Sequence, residues 1–443
     1  MRKSILAVVA VGSLAGGSLV GAPAVAAPTE VTLPENAVAS FQQMVQSDRD
    51  NYTGLTVDER QHVLRVYVPR TRVVAATGAV TRFATASTAR PGSALRVEVT
   101  PTPYSLRDLD TTMAQIDKAE PWATATRGLR SAWFVDAAAG RVQVGLTKVT
   151  PQLRQLARAT FGDRVELVAR QRFDTAVRRD RLSPGPLHEV ARPTSGARVV
   201  GAMAAAATPT RLLDVTPYYS GNRIYRTYTQ NGQNWVTQCT TAFVVASGST
   251  RQMATAGHCG PTGSVWNQGY LDTSTNTLYR TGTMGTVGRV EWGNNRMDAE
   301  VIGGGSYWAG AVYTGPYNSS YAYGVAGSTS LAVGQSVCSD GSFTGENCGV
   351  RVSAINACLD LNDNGTIVHV CNQAMADATG PNYLIVQHGD SGGPVYKLAS
   401  NPNYTLAAGI ISGGSSDGAH MNFTQFTNFT SAFGVTIVSG SPA

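Results

Sequence analysis

The chain has 443 residues, of which 42% are hydrophobic and 14% are charged, and its formal net charge is +6. This length is sufficient for two or three domains with buried cores. Residues 28–204 hold seven more basic than acidic residues, whereas residues 205–443 hold three more acidic than basic residues. A charge divided in this way does not favour nucleic-acid binding. It indicates either a solvated basic surface on the first half or attraction between the two halves.

The first 27 residues have the pattern of a secretory signal peptide. Arg2 and Lys3 precede an apolar run from Ile5 to Val20, and small residues follow at positions 22–27. This order of charged, apolar and small residues is typical of a cleaved signal. No later run reaches about 18 consecutive apolar residues, so we expect a secreted, extracellular protein without a membrane span.

Residues 28–181 are predicted to form an α+β region. Apolar spacing indicates a helix over 36–48 and strands over 61–68 and 95–99. Ser105 and Asp108 form a capping box for a helix that extends to Ile116 and is ended by Pro121. A hairpin over 132–148, a helix that begins at Thr150 and is closed by Gly162, and a last strand over 164–169 complete the region.

Residues 182–208 have the composition of an exposed linker that contains a processing site, because Pro and Gly interrupt every pattern there and an alanine run follows. From residue 209 to 443 the sequence pattern changes to short β-rich runs separated by Gly, Asn, Ser and Thr. This pattern is typical of an all-β barrel or sandwich. A short helix is expected over 423–431.

All six cysteines lie in this β-rich part, which predicts three disulfides in an exported protein. Short separations favour three pairs: Cys239 with Cys259, Cys338 with Cys348, and Cys358 with Cys371. The C-x-x-C spacing of a zinc site is absent, so we expect no metal and no cofactor.

Two motifs in the β-rich part predict nucleophilic catalysis. Ser391 stands in the sequence Gly-Asp-Ser-Gly-Gly-Pro, where a glycine-rich turn can expose its hydroxyl and aim backbone N–H groups at a neighbouring oxyanion. His258 follows an apolar strand in Thr-Ala-Gly-His-Cys, and an imidazole within reach can take the hydroxyl proton. Asp298 is the best candidate for the carboxylate that orients the imidazole, although Asp272 and Glu300 lie in the same interval.

These motifs, in this order, resemble the chymotrypsin-type serine peptidases, and more closely the bacterial secreted streptogrisin and α-lytic protease group. The resemblance implies two six-stranded antiparallel β-barrels, a serine endopeptidase acting on protein or peptide substrates, and a propeptide that assists folding and inhibits the enzyme until it is removed. It makes Ser391 the nucleophile, His258 the base and then the acid, Asp298 the orienting carboxylate, and the N–H groups of Gly389 and Ser391 the oxyanion hole. We expect a monomer whose partners are its substrates and its own propeptide, and neither nucleic acid nor membrane.

The resemblance also implies where substrate binds and where this chain departs from the family. Substrate would add as a strand along Ser412, Gly413 and Gly414. Ile385 would form the base of the primary pocket and His388 its mouth, which favours cleavage after an apolar or aromatic residue. The family pairs the acid at position 390 with an arginine at position 339, but this chain has Ser339 there, so the partner of Asp390 stays open.

Three alternatives accompany this interpretation. Residues 360–365 match the first half of a calcium-binding EF-hand loop, but position twelve is Cys371, and Asn364-Gly365 favours a type I′ hairpin turn. A secreted esterase with an α/β-hydrolase fold could use Ser391, Asp417 and His420, although only 52 residues follow Ser391. A non-catalytic protease homologue that acts as a binding module is the third.

Overall fold

The computed structural model describes residues 37–86, 96–184, 188–189, 209–304, 308–380 and 383–442. The predicted signal peptide at 1–27 and most of the predicted linker with its processing site lie outside the described residues. No helix in the described ranges is long and apolar enough to cross a membrane.

The first layer of the N-terminal region is a three-stranded sheet covered by two helices. Its elements in chain order are α1 (Ala37–Ser47), β1 (Gly54–Asp58), β2 (Val63–Pro69), α2 (Val73–Ala86) and β3 (Arg96–Thr102). Strand β2 pairs antiparallel with β1 and parallel with β3, and α2 makes the crossover that a parallel pair requires. Phe41 from α1 and Val80 from α2 bury their side chains against Leu64 and Val66 of β2. Helix α2 is absent from the sequence-based prediction.

The second layer of the N-terminal region follows its predicted order. Its elements are α3 (Leu106–Met113), α4 (Trp122–Thr126), β4 (Arg130–Asp136), β5 (Arg141–Leu146), α5 (Pro151–Phe161) and β6 (Val165–Ala169). The Ser105–Asp108 capping box is present, and Thr150 caps α5 while Gly162 follows its end with φ of 68°. Helix α3 ends at Met113, well before Pro121. The α+β character predicted for this region is confirmed.

Three short strands follow β6, so the prediction that 164–169 is the last strand of this region is wrong. They are β7 (Asp174–Thr175), β8 (Arg178–Arg181) and β9 (His188–Glu189). Each pairs with a strand of the second half of the chain. Runs of two to four residues carry no periodicity that a sequence could display, and their partners are distant in the chain.

Strand β10 (Tyr218–Ser220) pairs with Trp308 and Val312, outside the first barrel. The first barrel is built from seven strands: β11 (Arg223–Gln230), β12 (Gln233–Thr240), β13 (Val244–Ser247), β14 (Thr250–Thr255), β15 (Val265–Asp272), β16 (Thr277–Glu291) and β17 (Ala299–Gly303). Strand β13 continues β12 after three residues, so the two act as one bent strand. The antiparallel pairs β11–β12, β13–β14, β14–β17, β17–β16, β16–β15 and β15–β11 then close a ring of six strands.

The second barrel contains β18 (Trp308–Tyr313), β19 (Ala322–Ser328), β20 (Ser336–Gly341), β21 (Gly345–Asp363), β22 (Thr366–Asp377), β23 (Pro394–Leu398), β24 (Tyr404–Gly414) and β25 (His420–Gln425), followed by α6 (Phe426–Phe433) and β26 (Thr436–Ile437). Strands β20, β21, β22, β25, β24 and β23 pair antiparallel in that order and close on themselves. The predicted architecture of two six-stranded antiparallel barrels is confirmed.

Apolar side chains of both barrels share one core at the junction between them. Phe243 and Val301 of the first barrel pack in the same cluster as Tyr396 and Ile410 of the second, and α6 contributes Phe426. The turns that carry the candidate catalytic residues all lie beside this junction.

The N-terminal region is joined to the second barrel by continued strand pairing. Strand β4 pairs with the outer part of β21, so the sheet of β6, β5 and β4 runs into the β21–β22 hairpin. Arg130 forms an ion pair with Asp360 there, and the Trp133 ring stacks on His369 with centroids 4.8 Å apart. Ion pairs join the two halves in both directions, since Lys397 of the second half also pairs with Glu59 of the first.

Candidate active site

His258 stands between Asp298 and Ser391. Its Nδ1 lies 2.7 Å from Asp298 Oδ2, and its Nε2 lies 2.6 Å from Ser391 Oγ. The backbone N–H of His258 also donates to Asp298 Oδ1 at 3.0 Å. Asp298 and Ser391 are fully buried, and His258 is nearly so. The carboxylate thus fixes the tautomer in which Nε2 can accept the hydroxyl proton.

The local backbone explains why the imidazole is held there. His258 lies in a short 3-10 turn directly after β14, and a Cβ at Gly257 would lie 2.4 Å from the carbonyl oxygen of Glu291. The Cys239–Cys259 disulfide ties this turn to the end of β12. Only glycine fits at position 257, because any Cβ would collide with the carbonyl oxygen of Glu291. The disulfide limits movement of Cys259, the residue that follows the histidine.

Asp298 precedes β17 and is positioned by a strand of the other barrel. Thr424 Oγ1 donates to the carbonyl oxygen of Asp298 at 2.8 Å. The competing acids lie elsewhere: Asp272 is partly exposed and accepts from Ser274, whereas Glu300 is buried and accepts from the Trp266 indole at 3.0 Å. Burial raises the pKa of Glu300 well above its ordinary value. The structure therefore brings Asp298, and neither of the other two acids, to the histidine.

The Ser391 turn aims two backbone donors at one point. Gly389 has φ of 106°, and a Cβ there would lie 2.2 Å from the Phe343 ring, so the turn requires glycine at this position. The N–H groups of Gly389 and Ser391 both donate to the carbonyl oxygen of Ala176, the latter at 3.3 Å. An oxygen at this point is held as an oxyanion would be.

Asp390 is fully buried and supports this turn through backbone donors rather than through an arginine. Its carboxylate accepts from the N–H of Gln387 at 2.8 Å, of Phe343 at 2.9 Å and of Thr344 at 3.1 Å, and from Thr344 Oγ1 at 2.8 Å. Burial raises the pKa of Asp390, and these donors oppose the rise. Ser339, where the family has its arginine, donates instead to the carbonyl oxygen of Ile385.

Arginine enters this area from a different part of the chain. The fully buried Arg211 places Nη2 2.7 Å from Asp340 Oδ1, and its Nη1 donates to the carbonyl oxygen of Gly341 at 3.0 Å. Burial raises the pKa of Asp340 to about 7 although Arg211 favours its carboxylate. Sequence reasoning missed this pair. The only signal was the presence of one isolated arginine between the linker and the first barrel strand.

The cleft beside Ser391 is occupied by residues 174–176 of the N-terminal region. The N–H of Ala176 donates to the carbonyl oxygen of Ser412 at 3.1 Å, and β7 pairs antiparallel with Gly413 and Gly414. A Cβ at Gly413 would lie 2.1 Å from the carbonyl oxygen of Asp174, so the close approach depends on glycine. The strand edge predicted to hold substrate therefore already holds an extended segment of this chain.

The pocket residues predicted from the sequence surround this segment. The fully buried Ile385 and the 4% exposed Ala176 belong to one apolar cluster that also contains Val386 and Ile411. His388 Nδ1 lies 3.1 Å from the carbonyl oxygen of Val177. Ala176 thus contributes the side chain that enters the apolar pocket, and His388 faces the following residue.

The remaining predicted features also have definite places. The three disulfides join the cysteine pairs that the short separations favour. Asn364 and Gly365 both have positive φ, as a type I′ turn requires, at the tip of the β21–β22 hairpin. The hairpin acids are engaged in ion pairs, Asp360 with Arg130 and Asp363 with Arg179. His420, the base of the esterase alternative, pairs with Asp377, and the barrels differ from the α/β-hydrolase fold.

Comparison with known proteins finds relatives for about half of the chain. No protein-family model matches the chain. Streptogrisin-C of Streptomyces griseus is 30% identical over 216 residues, which are 48% of this chain and 40% of that protein, so the chain spans less than half of that relative's length. Among solved structures, protease A of Thermobifida fusca is 27% identical, with a TM-score of 0.36, over 50% of this chain and 98% of its own. The chymotrypsin of Cellulomonas bogoriensis is 24% identical, with a TM-score of 0.34, over 50% of this chain and all of its own. The resemblance carried by the motifs is confirmed: over about half of its length the chain is similar to bacterial chymotrypsin-type serine proteases.

Proposed function

We propose that the chain is the precursor of a secreted serine endopeptidase whose catalytic residues are Ser391, His258 and Asp298. The observation that carries the proposal is the position of His258, within hydrogen-bond distance of both other side chains. A hydroxyl, an imidazole and a buried carboxylate in this order are the parts that acyl transfer requires.

Each residue would have one role in peptide hydrolysis. Ser391 Oγ attacks the peptide carbonyl while His258 accepts its proton, and the same proton then passes to the leaving amine. Asp298 holds the imidazole and stabilises its positive charge. The N–H groups of Gly389 and Ser391 bind the oxyanion, and water finally releases the acyl group from Ser391.

The N-terminal region would be the propeptide, made with a signal at 1–27 and extending to residue 181, before the linker at 182–208 and the protease at 209–443. Support for an inhibitory role comes from the cleft, because Ala176 makes backbone contacts to Ser412, Gly389 and Ser391 where a substrate would bind. A competing substrate cannot use the same donors while the segment is in place. Three disulfides are typical of exported proteins and agree with secretion.

Primary specificity would be for a small or apolar residue. The apolar cluster around Ile385 includes Val386 and Ile411, and it already encloses Ala176. An uncompensated lysine or arginine ammonium or guanidinium there would be strongly disfavoured. The clearest check is the residue preferred before the cleaved bond in a peptide library.

Covalent labelling tests the proposed nucleophile. Processed protein from culture medium should react once with a fluorophosphonate, and the labelled peptide should contain Ser391. Ser391→Ala should abolish both labelling and peptide hydrolysis, whereas Ser400→Ala, at an exposed turn, should keep both. Labelling that persists in the Ser391→Ala protein would refute the assignment.

The folding role of the propeptide needs a separate experiment. Residues 209–443 expressed alone should yield little active enzyme, and activity should rise when residues 28–204 are supplied as a second chain. Full activity without that second chain would refute the folding role and leave the catalytic assignment intact.

A further inference from the structure

The segment in the cleft does not stop at Ser391 but continues past it on both sides. Upstream, the side chain of Phe173 is buried against Leu359 and Leu361 of β21. Downstream, Val177 is buried in the cluster that contains the Cys239–Cys259 disulfide. The chain therefore crosses the catalytic residues as an uninterrupted extended peptide.

The downstream side of the cleft holds this peptide by a second set of contacts. Strand β8 pairs antiparallel with β12, from Arg178 opposite Gln238 to Arg181 opposite Trp235. Leu182 then buries its side chain in a cluster with Tyr225, Val236 and Leu278. We call residues 177–184 the downstream arm. It fills the part of the cleft that would receive the leaving-group side of a substrate.

The three backbone contacts of Ala176 identify one peptide bond. Its N–H is bound by Ser412, its carbonyl oxygen lies at the two donors of the Ser391 turn, and its side chain enters the apolar pocket. In an extended peptide bound in this way, the next bond toward the C-terminus is the one presented to the nucleophile. That bond joins Ala176 to Val177.

We propose that Ser391 makes a first cut in its own chain between Ala176 and Val177, so that the propeptide ends at residue 176 rather than at the predicted residue 181. The downstream arm then stays in the cleft, joined to the protease through the linker. This inference rests on the proposed function. Ser391 Oγ forms an ester with the Ala176 carbonyl carbon, and the C–N bond to Val177 breaks as His258 passes the hydroxyl proton to the new Val177 amine. Water then hydrolyses the ester, so that one water molecule is consumed and Ala176 ends in a carboxylate.

The arm stays because the cut removes none of its contacts. The β8–β12 pairing and the burial of Leu182 lie wholly on the C-terminal side of the cut bond. Gln238 Nε2 also donates to Asp180 at 2.6 Å. The arm remains covalently joined to the protease through residue 208, so its local concentration at the cleft is high. The enzyme after this first cut is therefore still blocked on its leaving-group side.

The position of the cut is tested by mass and terminal sequence. The full chain should yield one fragment that ends at Ala176 and another that begins at Val177, and Ser391→Ala should yield neither. Ala176→Arg should slow the cut at least about 10-fold, because a guanidinium must enter the apolar pocket. The matched control Ala138→Arg, in an exposed turn of the N-terminal region, should be cut at the normal rate. Fragments with other ends, or a chain that is never cut, would overturn the inference.

The retained arm is tested by comparing two kinds of substrate on the cut enzyme. A peptidyl p-nitroanilide needs only the upstream side of the cleft, whereas an internally quenched peptide needs both sides. Leu182→Asp should raise kcat/KM for the quenched peptide by about 10-fold, because it removes the burial of one leucine, and should change the p-nitroanilide value less than about 2-fold. Leu398→Asp, at a half-exposed position, is the control and should change neither. Equal effects on both substrates, or a cut enzyme that begins after residue 184, would overturn the retained arm.

The two levels of proposal fail differently. If Ser391 is not the nucleophile, fluorophosphonate labelling, hydrolysis of external peptides and self-cleavage are either all absent from the parent protein or all persist in the Ser391→Ala protein. If the enzyme is active and labelled at Ser391 but its fragments do not meet at Ala176 and Val177, only the self-cleavage inference is wrong.

Discussion

Replacing Arg211 by methionine is expected to destabilise the protein and to impair catalysis without touching a catalytic residue. Arg211 is fully buried, with Nη2 2.7 Å from one oxygen of Asp340 and 2.8 Å from the other. The next residue, Gly341, abuts the turn beside Ser391, since a Cβ there would lie 2.0 Å from Asp390 Oδ1. Phe343 and Thr344, two and three residues further on, donate to the same carboxylate. The ion pair thus supports the loop that supports the oxyanion donors.

The size of the expected destabilisation follows from leaving the buried Asp340 carboxylate without its charged partner. Breaking a buried ion pair by removing one partner costs about 3–5 kcal/mol, whereas removing both charges often costs far less. Burial already raises the pKa of Asp340 to about 7 against the pull of Arg211, and it should rise further in the variant. A raised folded pKa means that stability present at low pH is lost as the pH increases. The gap between the variant and the parent should therefore be larger at pH 8 than at pH 5.

Urea unfolding in a Ser391→Ala background measures the difference in unfolding free energy between the Arg211→Met variant and the parent without self-digestion. Peptide hydrolysis in the active background measures the catalytic effect. The double variant Arg211→Met/Asp340→Leu should recover most of the lost stability. Arg289→Met, which removes a half-exposed partner of Glu291, is the matched control and should cost less than about 1 kcal/mol. If Arg211→Met costs no more than this control, or if the double variant is less stable than the single one, the reasoning is wrong.

Three further outcomes are expected. Asp298→Asn should keep the fold but lower kcat by about 10⁴-fold, because the amide favours the wrong tautomer of His258; a loss below about 10-fold would contradict its role. Burial raises the pKa of Glu300 above its ordinary value of 4.5, so its contribution to the unfolding free energy is present below that pH and is lost as the pH rises. Glu300 therefore makes the unfolding free energy fall as the pH rises, by up to about 1.4 kcal/mol per pH unit, and Glu300→Gln should remove this dependence. An unchanged dependence on pH between pH 5 and 8 would show that the group is ionised. Replacing Cys338 and Cys348 together by serine opens a loop with a separation of 10 residues and should lower the unfolding free energy by about 3 kcal/mol, which chemical denaturation of the oxidised parent and the variant would measure.

Features that depend on neighbouring residues could be predicted from the sequence. The capping box at Ser105 and the cap at Thr150 were identifiable because the cap and its partner are three residues apart. The turn at Asn364-Gly365 was identifiable because few other residue pairs adopt two positive φ values in succession. The same holds for the glycine-rich turn of Ser391, whose donors belong to the turn itself.

Features that depend on long-range pairing could not be predicted. Strands β7 and β8 have no pattern of their own and exist because Gly413, Gly414 and β12 offer free strand edges. Three of the four donors to Asp390 are backbone N–H groups, which carry no residue identity, and the fourth is the hydroxyl of the distant Thr344. Arg211 reaches Asp340 across 129 positions of the chain, and nothing in the residues around either member indicates the other.

The cut between Ala176 and Val177 would change how the N-terminal region holds the protease. Before the cut, that region contacts the second barrel through β1 and Glu59, at Val333, Ser336 and Lys397, through β4 on the β21–β22 hairpin, and through β7 in the cleft. Strand β8 continues into the first barrel. The cut removes the covalent link between the upstream and downstream contacts, so the upstream fragment becomes a separate inhibitor with three attachment points. Its release then depends on concentration and on the pairing with β21, including the ion pair of Arg130 and Asp360. The downstream arm has no such freedom, because it belongs to the same chain as Ser391. Self-cleavage would therefore expose the two sides of the cleft in sequence, the upstream side by dissociation and the downstream side only after the arm is displaced.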